Sequence, residues 1–461
     1  MIVMKFGGTS VKDAEAVDRV AGILAGRIDE RPVVVVSAFG DTTDALEGIL
    51  SALDRGDAGG ARAVAGEIGR GHADVVGRIL TAGPAATEAR DVLEGALERL
   101  RRLIDGMECL GEVSARSRDA VLASGEMLSA PLLALFLSSR GLKTRAADPR
   151  FIVATDEDHG RAAPLVDETA TRARSVLLPM IGAGAIPVVG GYVGASIRGV
   201  VTTLGRGGSD LTASLLAKAL GADTLEYWKD VDGILTADPQ LVPDARPVPR
   251  LSFREAAELA FLGARVLHPA SIQPAVEAGI PVRVRNSYKP TNPGTLIFDS
   301  SAAGRISTAD RAVSSVACKR DQVLVNVYST RMLGARGFLR RVFEVFDRLA
   351  ISVDHIATSE VNVTVTMAPT DRVEQLKAEL GAVAEIGVTT DVGVVSVVGE
   401  SLPSTPGVAA RVFGALSDIN VRLVTYGGSG VNLSLVVADR DVPLAVRRLH
   451  AELCAASDEG T

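Results

Sequence analysis

Thr202-Thr203-Leu204-Gly205-Arg206-Gly207-Gly208-Ser209-Asp210 is the stretch around which the rest of the chain is organised. It follows a buried apolar run and precedes a helical segment expected to begin near Ser209. Its glycines let the backbone bend sharply and come close to a ligand. The N–H groups of the helix start then face that ligand, with the positive end of the dipole behind them. Arg206 supplies a planar fork suited to a carboxylate or a phosphate. Ser209 is a good N-cap and also a hydroxyl at the mouth of the site, and Asp210 adds a carboxylate that can orient a cation. A Gly-rich turn with an arginine in solvent would explain the glycines alone. Arg, Ser and Asp set among them point to an anion site.

A second anion site is expected at the N-terminus. Ile2 to Phe6 reads as a short buried strand, broken by Gly7-Gly8-Thr9-Ser10 and followed by a helix with Val17, Val20, Ile23 and Leu24 on one face. Strand, Gly-rich turn, helix is a phosphate-cradling order, and Lys5 at the strand end is the counter-charge. The turn is shorter than a Walker loop.

Val33 to Val36 is a β-branched run of the kind found in parallel strands covered on both faces. The polar loop after it carries Ser37 and Thr43, which meet substrate if ligands sit at the carboxyl ends of the strands. Capping of the next helix by Thr43 or Asp44 is the alternative. Residues 45 to 140 read as mostly helical. Within them Glu126, among Val121, Leu122, Leu128, Leu132 and Leu133, is either a surface residue or a buried carboxylate that needs an ammonium or an arginine. His159-Gly160-Arg161-Ala162 is a polar loop within reach of a substrate. Lys229-Asp230-Val231-Asp232-Gly233, after the strand Thr224 to Trp228, suits a nucleotide pocket or a solvated turn. His268 before Pro269 reads as a structural cap at a helix start.

The 461 residues suffice for two or three domains, and 47% hydrophobic content can build a large core. A net charge of -7 argues against nucleic acid or an anionic membrane as the main partner, and only 4% aromatics disfavours base-stacking surfaces. The cysteines Cys109, Cys318 and Cys454 form neither metal spacing nor disulfide framework, and no secretory leader is read, so a cytoplasmic location is expected. No protein metal site is expected. The uncharged run Val176 to Ile197 carries Pro179 and Pro187, and reads as a helix end followed by a buried strand rather than a membrane span.

Ser300 to Asp310 reads as a linker, after which the chain repeats itself. Gly337 to Val365 aligns with Gly407 to Leu435 at an offset of seventy without gaps. Such a period is too long for a solenoid unit, so two copies of one small domain are expected. Each copy reads as strand, loop, helix, strand, strand, helix, strand, the ferredoxin-like split pattern. Paired domains of this kind suggest a sensor or a dimerisation module.

Lys5-Phe6-Gly7-Gly8-Thr9-Ser10-Val11, the Thr202 to Asp210 stretch and the paired repeats together resemble an aspartate kinase over essentially the whole chain. The resemblance implies an α/β fold: an amino-acid-kinase open αβα sandwich over 1–300, then ferredoxin-like (ACT) α+β domains over 313–390 and 391–457. It implies transfer of the ATP γ-phosphoryl to the side-chain carboxylate of L-aspartate, with Mg²⁺, at the head of lysine, threonine and methionine biosynthesis.

Position by position, the resemblance makes Lys5 and Asp210 catalytic. It assigns ATP to Lys5, Gly7, Gly8, Ser10, Lys229, Asp230, Leu235, Gln240, Arg265 and Val266. Lys229, Asp230, Arg265 and Val266 fall on the adenine side. Aspartate falls to Ser37, Thr43, Glu126, Arg206, Gly207, Gly208 and Ser209, with Glu126 on its ammonium and Arg206 on a carboxylate. Bacterial lysine-sensitive members often have Thr-Asp in place of Lys229-Asp230, and Tyr and Arg in place of Leu235 and Gln240. Trp228 to Gly233, Asn286-Ser287-Tyr288, Ser329 to Gly334 and Thr358 to Val361 are similar to plant lysine-sensitive members. This implies L-lysine as effector at Met332, Gly337, Phe338, Leu339, Asp354, Thr358, Ser359 and Glu360, in a homodimer or homotetramer. The competing readings are a glutamate or acetylglutamate kinase relative and a non-catalytic amino-acid sensor that kept the fold.

Overall fold

A computed structural model describes residues 1–263, 267–299, 312–332, 335–400 and 402–454. The chain forms two compact units, Met1–Ile234 with Val266–Ala303, and Leu235–Arg265 with Gly304–Thr461. The excursion Leu235–Arg265 therefore leaves the first unit and joins the second, where a single boundary near residue 300 is expected from the sequence. Ser300 to Asp310 lies outside the described residues.

The strands up to residue 299 are β1 (Ile2–Phe6), β2 (Pro32–Val36), β3 (Thr144–Ala147), β4 (Ala154–Thr155), β5 (Ile186–Gly190), β6 (Val193–Ser196), β7 (Val201–Thr203), β8 (Thr224–Lys229), β9 (Arg250–Ser252, in the second unit), β10 (Val282–Asn286) and β11 (Thr295–Phe298). The main sheet of the first unit runs β3-β5-β2-β1-β8-β10-β11. Its neighbours are parallel apart from the β10–β11 pair. Phe6 registers with Val36 on one side and Trp228 on the other, so β1, β2 and β8 end at one level. Their following loops open at a common edge, where open parallel sheets bind ligands.

Strand alternation decides which side chains reach that edge. Ile2, Met4 and Phe6 enter a core shared with Val17, Val20 and Leu24 of the helix Ala14–Ala25 and with Leu128, Leu132 and Phe136 of the helix Ser124–Ser139. Lys5, one residue out of phase, points to the other face, which the helix Gly208–Leu220 covers. Residues 45 to 140 are helical as expected, and Val176 to Ile197 resolves into the end of the helix Val166–Gly182 followed by β5. The stretch Ala115–Ser139 is long and apolar enough to span a membrane, but 67% of its most apolar window is buried inside the protein, which makes it core.

The second unit contains one mixed sheet of β12 (Ser315–Tyr328), β13 (Ile356–Thr358), β14 (Asn362–Met367), β15 (Glu385–Val398), β16 (Leu423–Tyr426) and β17 (Asn432–Ala438), in the order β13-β14-β12-β15-β17-β16. The two repeats are interlocked rather than consecutive. The second half of β12 pairs with the first half of β15, Leu324 opposite Thr389 and Tyr328 opposite Glu385, and completes the first copy. The first half of β12 pairs with the second half of β15, Ser315 opposite Val398, and supplies the last strand of the second copy. The core follows this exchange, because Val313 and Val316 pack with Val395, Val412, Leu435 and Leu449. Register breaks between Lys319 and Leu324, and positive φ at Asp321 (52°) and Asp391 (56°), mark where each long strand passes between copies. Within the described residues the second copy ends on the helix Val442–Leu453.

Candidate active site

A cleft of about 690 Å³ opens at the common strand edge of the first unit. It is lined by Lys5, Ser37, Thr43, Glu47, Leu122, Glu126, Gly160, Tyr192 and Gly205 through Asp210. Two loops distant in sequence pack against each other at this edge. Gly8 lies so close to the Ser37–Gly40 loop that an added Cβ would sit 2.6 Å from the Ala38 carbonyl oxygen. Any side chain at residue 8 would push the turn after β1 off the loop after β2.

The helix carrying Asp210 starts one residue earlier than the sequence suggests. Gly207, at φ 75°, is the N-cap, and Gly208 opens the helix. Ser209 is thus the second helical residue, and its hydroxyl is free to bond Glu126 instead of capping. Gly207 holds a left-handed conformation that an L side chain would strain. Thr43 is likewise no cap: the helix runs Thr42–Asp54 with Asp41 before it, and Thr43 faces the cleft.

Charge in the cleft is arranged around Asp210. Lys5 Nζ lies 2.7 Å from its Oδ1, and Lys229 Nζ donates to its Oδ2 at 2.9 Å. Burial pushes the Asp210 carboxyl up, but Lys5 and Lys229 together outweigh burial and hold it below the usual aspartate value. It is an anion at neutral pH, shared by two ammonium groups. Burial pushes the Lys229 ammonium down, and Asp210 opposes that.

Glu126 is buried, with 3% of its surface exposed, so the surface alternative is excluded. Its Oε2 has no hydrogen-bond partner among the described residues. Burial raises its carboxyl to about 7, against the pull of the Ala38 and Glu126 backbone N–H groups, Lys5 and the Ser209 hydroxyl. A buried carboxylate oxygen left unpaired is costly, and a ligand ammonium would satisfy it. Arg206 is exposed at the cleft, available to a second anion.

The other expected ATP residues divide. Gly7 and Gly8 form the turn after β1, and Gly7 N–H donates to the Trp228 carbonyl at 3.3 Å. Ser10 is buried, its hydroxyl 2.9 Å from that of Ser287, which makes it a support for the turn. Lys229 reaches Asp210 rather than pointing away from it, and Asp230 is exposed. Leu235 and Gln240 belong to the second unit, where the Leu235 carbonyl accepts from Ser315 and Gln240 is exposed; neither is among the lining residues. Arg265 and Val266 lie outside the described residues.

Among the expected effector residues, Phe338 is a core side chain of the first repeat, whereas Leu339, Thr358, Ser359 and Glu360 are exposed and Met332 is half-buried. Gly337 is the left-handed N-cap of the helix Phe338–Arg348. Asp354 is nearly buried and ion-paired with Lys319.

Several lining residues escape a sequence reading. Tyr192 sits at φ 64° between β5 and β6, where the chain doubles back beside Gly208. Its only sequence signal is the preceding Gly190-Gly191. Glu47 lies one helical turn beyond Thr43, and Leu122 ends the helix before Glu126. Asp119 is fully buried and orders the loop that brings Gly160 to the cleft. It accepts from the Gly160 N–H at 3.1 Å and the Thr203 hydroxyl, and its Oδ2 lies 2.6 Å from His159 Nδ1. His159 is therefore part of the support of this loop, while Gly160 faces the ligand space.

A parallel sheet whose strand ends gather two lysines on one aspartate, an arginine and an unpaired glutamate is a site for phosphoryl transfer between anions. Comparison with known proteins agrees. The model of the Amino acid kinase family matches residues 1–286, and an ACT domain model matches residues 395–453. The chain is 38% identical to chloroplastic aspartokinase 2 of Arabidopsis thaliana over 97% of its own length and 83% of that protein. It superposes on Escherichia coli aspartokinase III in complex with aspartate and ADP with a TM-score of 0.83 and 35% identity, covering 98% of this chain and 100% of the other. For the same enzyme in complex with lysine and aspartate the TM-score is 0.79, with 35% identity over 98% and 99% of the two chains. The chain belongs to the aspartokinases of the amino acid kinase family.

Proposed function

We propose that this aspartate kinase holds ATP and L-aspartate together in the described cleft and joins the γ-phosphoryl to the aspartate side chain. The observation that carries the proposal is the Lys5–Asp210 ion pair in one cleft with Arg206 and the unpaired Glu126 oxygen. Glu126 takes the aspartate ammonium and Arg206 its α-carboxylate. Ser37, Thr43 and Ser209 offer hydroxyls to the remaining oxygens. The side-chain carboxylate attacks the γ-phosphorus, the bond to the β,γ-bridging oxygen breaks, and ADP leaves with that electron pair. The nucleophile is already ionised, so no general base is required. Catalysis comes from placing partners and neutralising charge, and positioning of bound partners can supply about 7–11 kcal/mol. An amino-acid sensor has no use for two ammonium groups on one carboxylate beside a phosphate turn.

Mg²⁺ is part of the proposed reaction. Both Asp210 oxygens are already engaged by ammonium groups. No cluster of three or more His, Cys, Asp or Glu side chains suited to a metal occurs among the described residues. The donor set does not fit a resident metal, so Mg²⁺ would arrive on the nucleotide, as this ion commonly does. With ATP, Mg²⁺ and L-aspartate present, hydroxylamine is expected to trap an acyl phosphate. Trapping with L-glutamate instead of aspartate, or no trapping at all, would overturn the assignment.

L-lysine is the proposed effector, bound at the first repeat, in a homodimer or homotetramer. Support comes from Asp354, a carboxylate that the offset of seventy replaces with Val424 in the second repeat, so this acidic position, paired with Lys319, is particular to the first copy. The E. coli relative whose structure contains lysine also supports it. Thr358→Ile, at the exposed end of β13, is expected to raise the lysine concentration for half-inhibition about tenfold or more, with kcat unchanged within about twofold. Inhibition curves of the two proteins that superimpose would move the effector site elsewhere.

A further inference from the structure

Asp119 buries a carboxyl group completely, and among the described residues no lysine or arginine lies within ion-pair distance of it. Burying such a group is costly unless its oxygens are satisfied. Its donors come from two segments remote from its own helix, Ala115–Leu122. On one side the Gly160 N–H reaches Oδ1 at 3.1 Å and Oδ2 at 3.2 Å, and His159 Nδ1 lies 2.6 Å from Oδ2. On the other side the hydroxyl of Thr203, the last residue of β7, donates to Oδ1. The same two segments meet again through their backbones, where the Ala162 N–H donates to the Thr203 carbonyl at 2.9 Å. What the carboxyl clamps is the approach to Arg206. Gly205, two residues after Thr203, holds φ 71° and lies so close to Gly160 that an added Cβ would sit 3.1 Å from the Gly160 carbonyl oxygen. Beyond Arg206, the Gly208 N–H donates to the Gly205 carbonyl at 3.0 Å and the helix Gly208–Leu220 begins. Arg206 thus stands on a short turn fixed at both ends. Its exposed side chain has no ion pair or hydrogen bond of its own among the described residues, so the backbone alone aims it.

We propose that Asp119 is a positioning residue for substrate binding: it holds the Gly160 and Thr203 segments together so that Arg206 meets the α-carboxylate of aspartate. The inference rests on the reading of the cleft as the ATP–aspartate site, and it assigns aspartate affinity to a residue that does not line the cleft. The α-carboxylate takes no part in the transfer. Its contact with Arg206 is therefore the same before and during reaction, and a displaced Arg206 is felt in KM rather than in kcat.

The test is a double-mutant cycle in the enzyme. Asp119→Asn keeps the shape of the side chain but turns one acceptor oxygen into an amide that faces donors. It is expected to raise the KM for aspartate about thirtyfold, with kcat and the KM for ATP within about threefold. Thr203→Val removes a single donor and is expected to raise the KM for aspartate about fivefold. It carries the test if the thermal transition shows that Asp119→Asn does not fold. Arg206→Ala should raise the KM for aspartate on its own. Adding Asp119→Asn or Thr203→Val to it should then change that KM by less than about twofold, because the positioned group is gone. A residue with only a structural role would give additive losses instead. Additive losses, a parental KM for aspartate in both single variants, or a loss confined to kcat would overturn the proposal. Trapping of acyl phosphate by the parent enzyme separates these failures from failure of the aspartate kinase reading itself.

Discussion

Lys5→Met is expected to lower kcat by about a thousandfold while the protein remains folded. Lys5 is buried at the end of β1 and lines the cleft, where the proposed reaction puts its ammonium on the transferring phosphoryl. Methionine keeps most of the side-chain volume, so packing against the helix Gly208–Leu220 survives. Asp210 keeps Lys229, so the substitution does not strand a buried anion. Asp210→Ala makes the contrast. It leaves two ammonium groups facing each other in a nearly buried site, and removing the common partner of a buried pair costs about 3–5 kcal/mol. Thermal unfolding should therefore show a small change for Lys5→Met and a large one for Asp210→Ala, with both nearly inactive. Appreciable turnover in Lys5→Met would remove that residue from the chemistry. Equal unfolding temperatures would mean that Asp210 does not hold the two lysines as described.

The second large effect concerns Glu126. Its carboxyl sits at about 7 in the free enzyme because burial disfavours the anion. In the proposed complex, that anion takes the aspartate ammonium. The kcat/KM for aspartate, which reports the free enzyme, should therefore rise with pH up to about 7 and then level off. Glu126→Gln is expected to lose about a hundredfold in kcat/KM and to flatten that limb. Stability should move the opposite way. A raised carboxyl binds its proton more tightly folded than unfolded, so its contribution is favourable at low pH and is lost as pH rises from the ordinary glutamate value through about 7. Above that window Glu126→Gln should unfold at a higher temperature than the parent without aspartate, and the advantage should disappear when aspartate is added. An unchanged pH limb in the variant would show that Glu126 does not meet the substrate.

The expected organisation came through the sequence where chemistry and local pattern coincide. Lys5 stands between apolar residues one step before two glycines, and Arg206, Ser209 and Asp210 stand among glycines at a helix start. Such clusters are read within a few residues, because strand alternation and helix initiation are near-neighbour properties. Glu126 was half legible: its apolar neighbours raised the question of burial, but only the packing of Gly190 against it, and of Gly125 against Ala38 and Leu46, answers it. Ser10, given to ATP by the resemblance, is buried with its hydroxyl against that of Ser287, a contact between distant segments that no local pattern shows. Asp119 carried no local signal, and Tyr192 only the two glycines before it. Tyr192 matters through a left-handed backbone beside Gly208, and Asp119 through three donors from other segments.

By itself, then, the sequence determined the strand–turn–helix beginnings, the repeat at an offset of seventy and the residue types that meet two anions. Tertiary structure alone decided that Lys5 and Lys229 share one aspartate, and that Ser315 to Lys319 completes the second repeat instead of the first. The reason is physical. Propensity and periodicity act over a few residues and are written into composition, whereas an ion pair or a strand pairing is chosen by which distant segments a packed core brings within about 3 Å or 5 Å of each other.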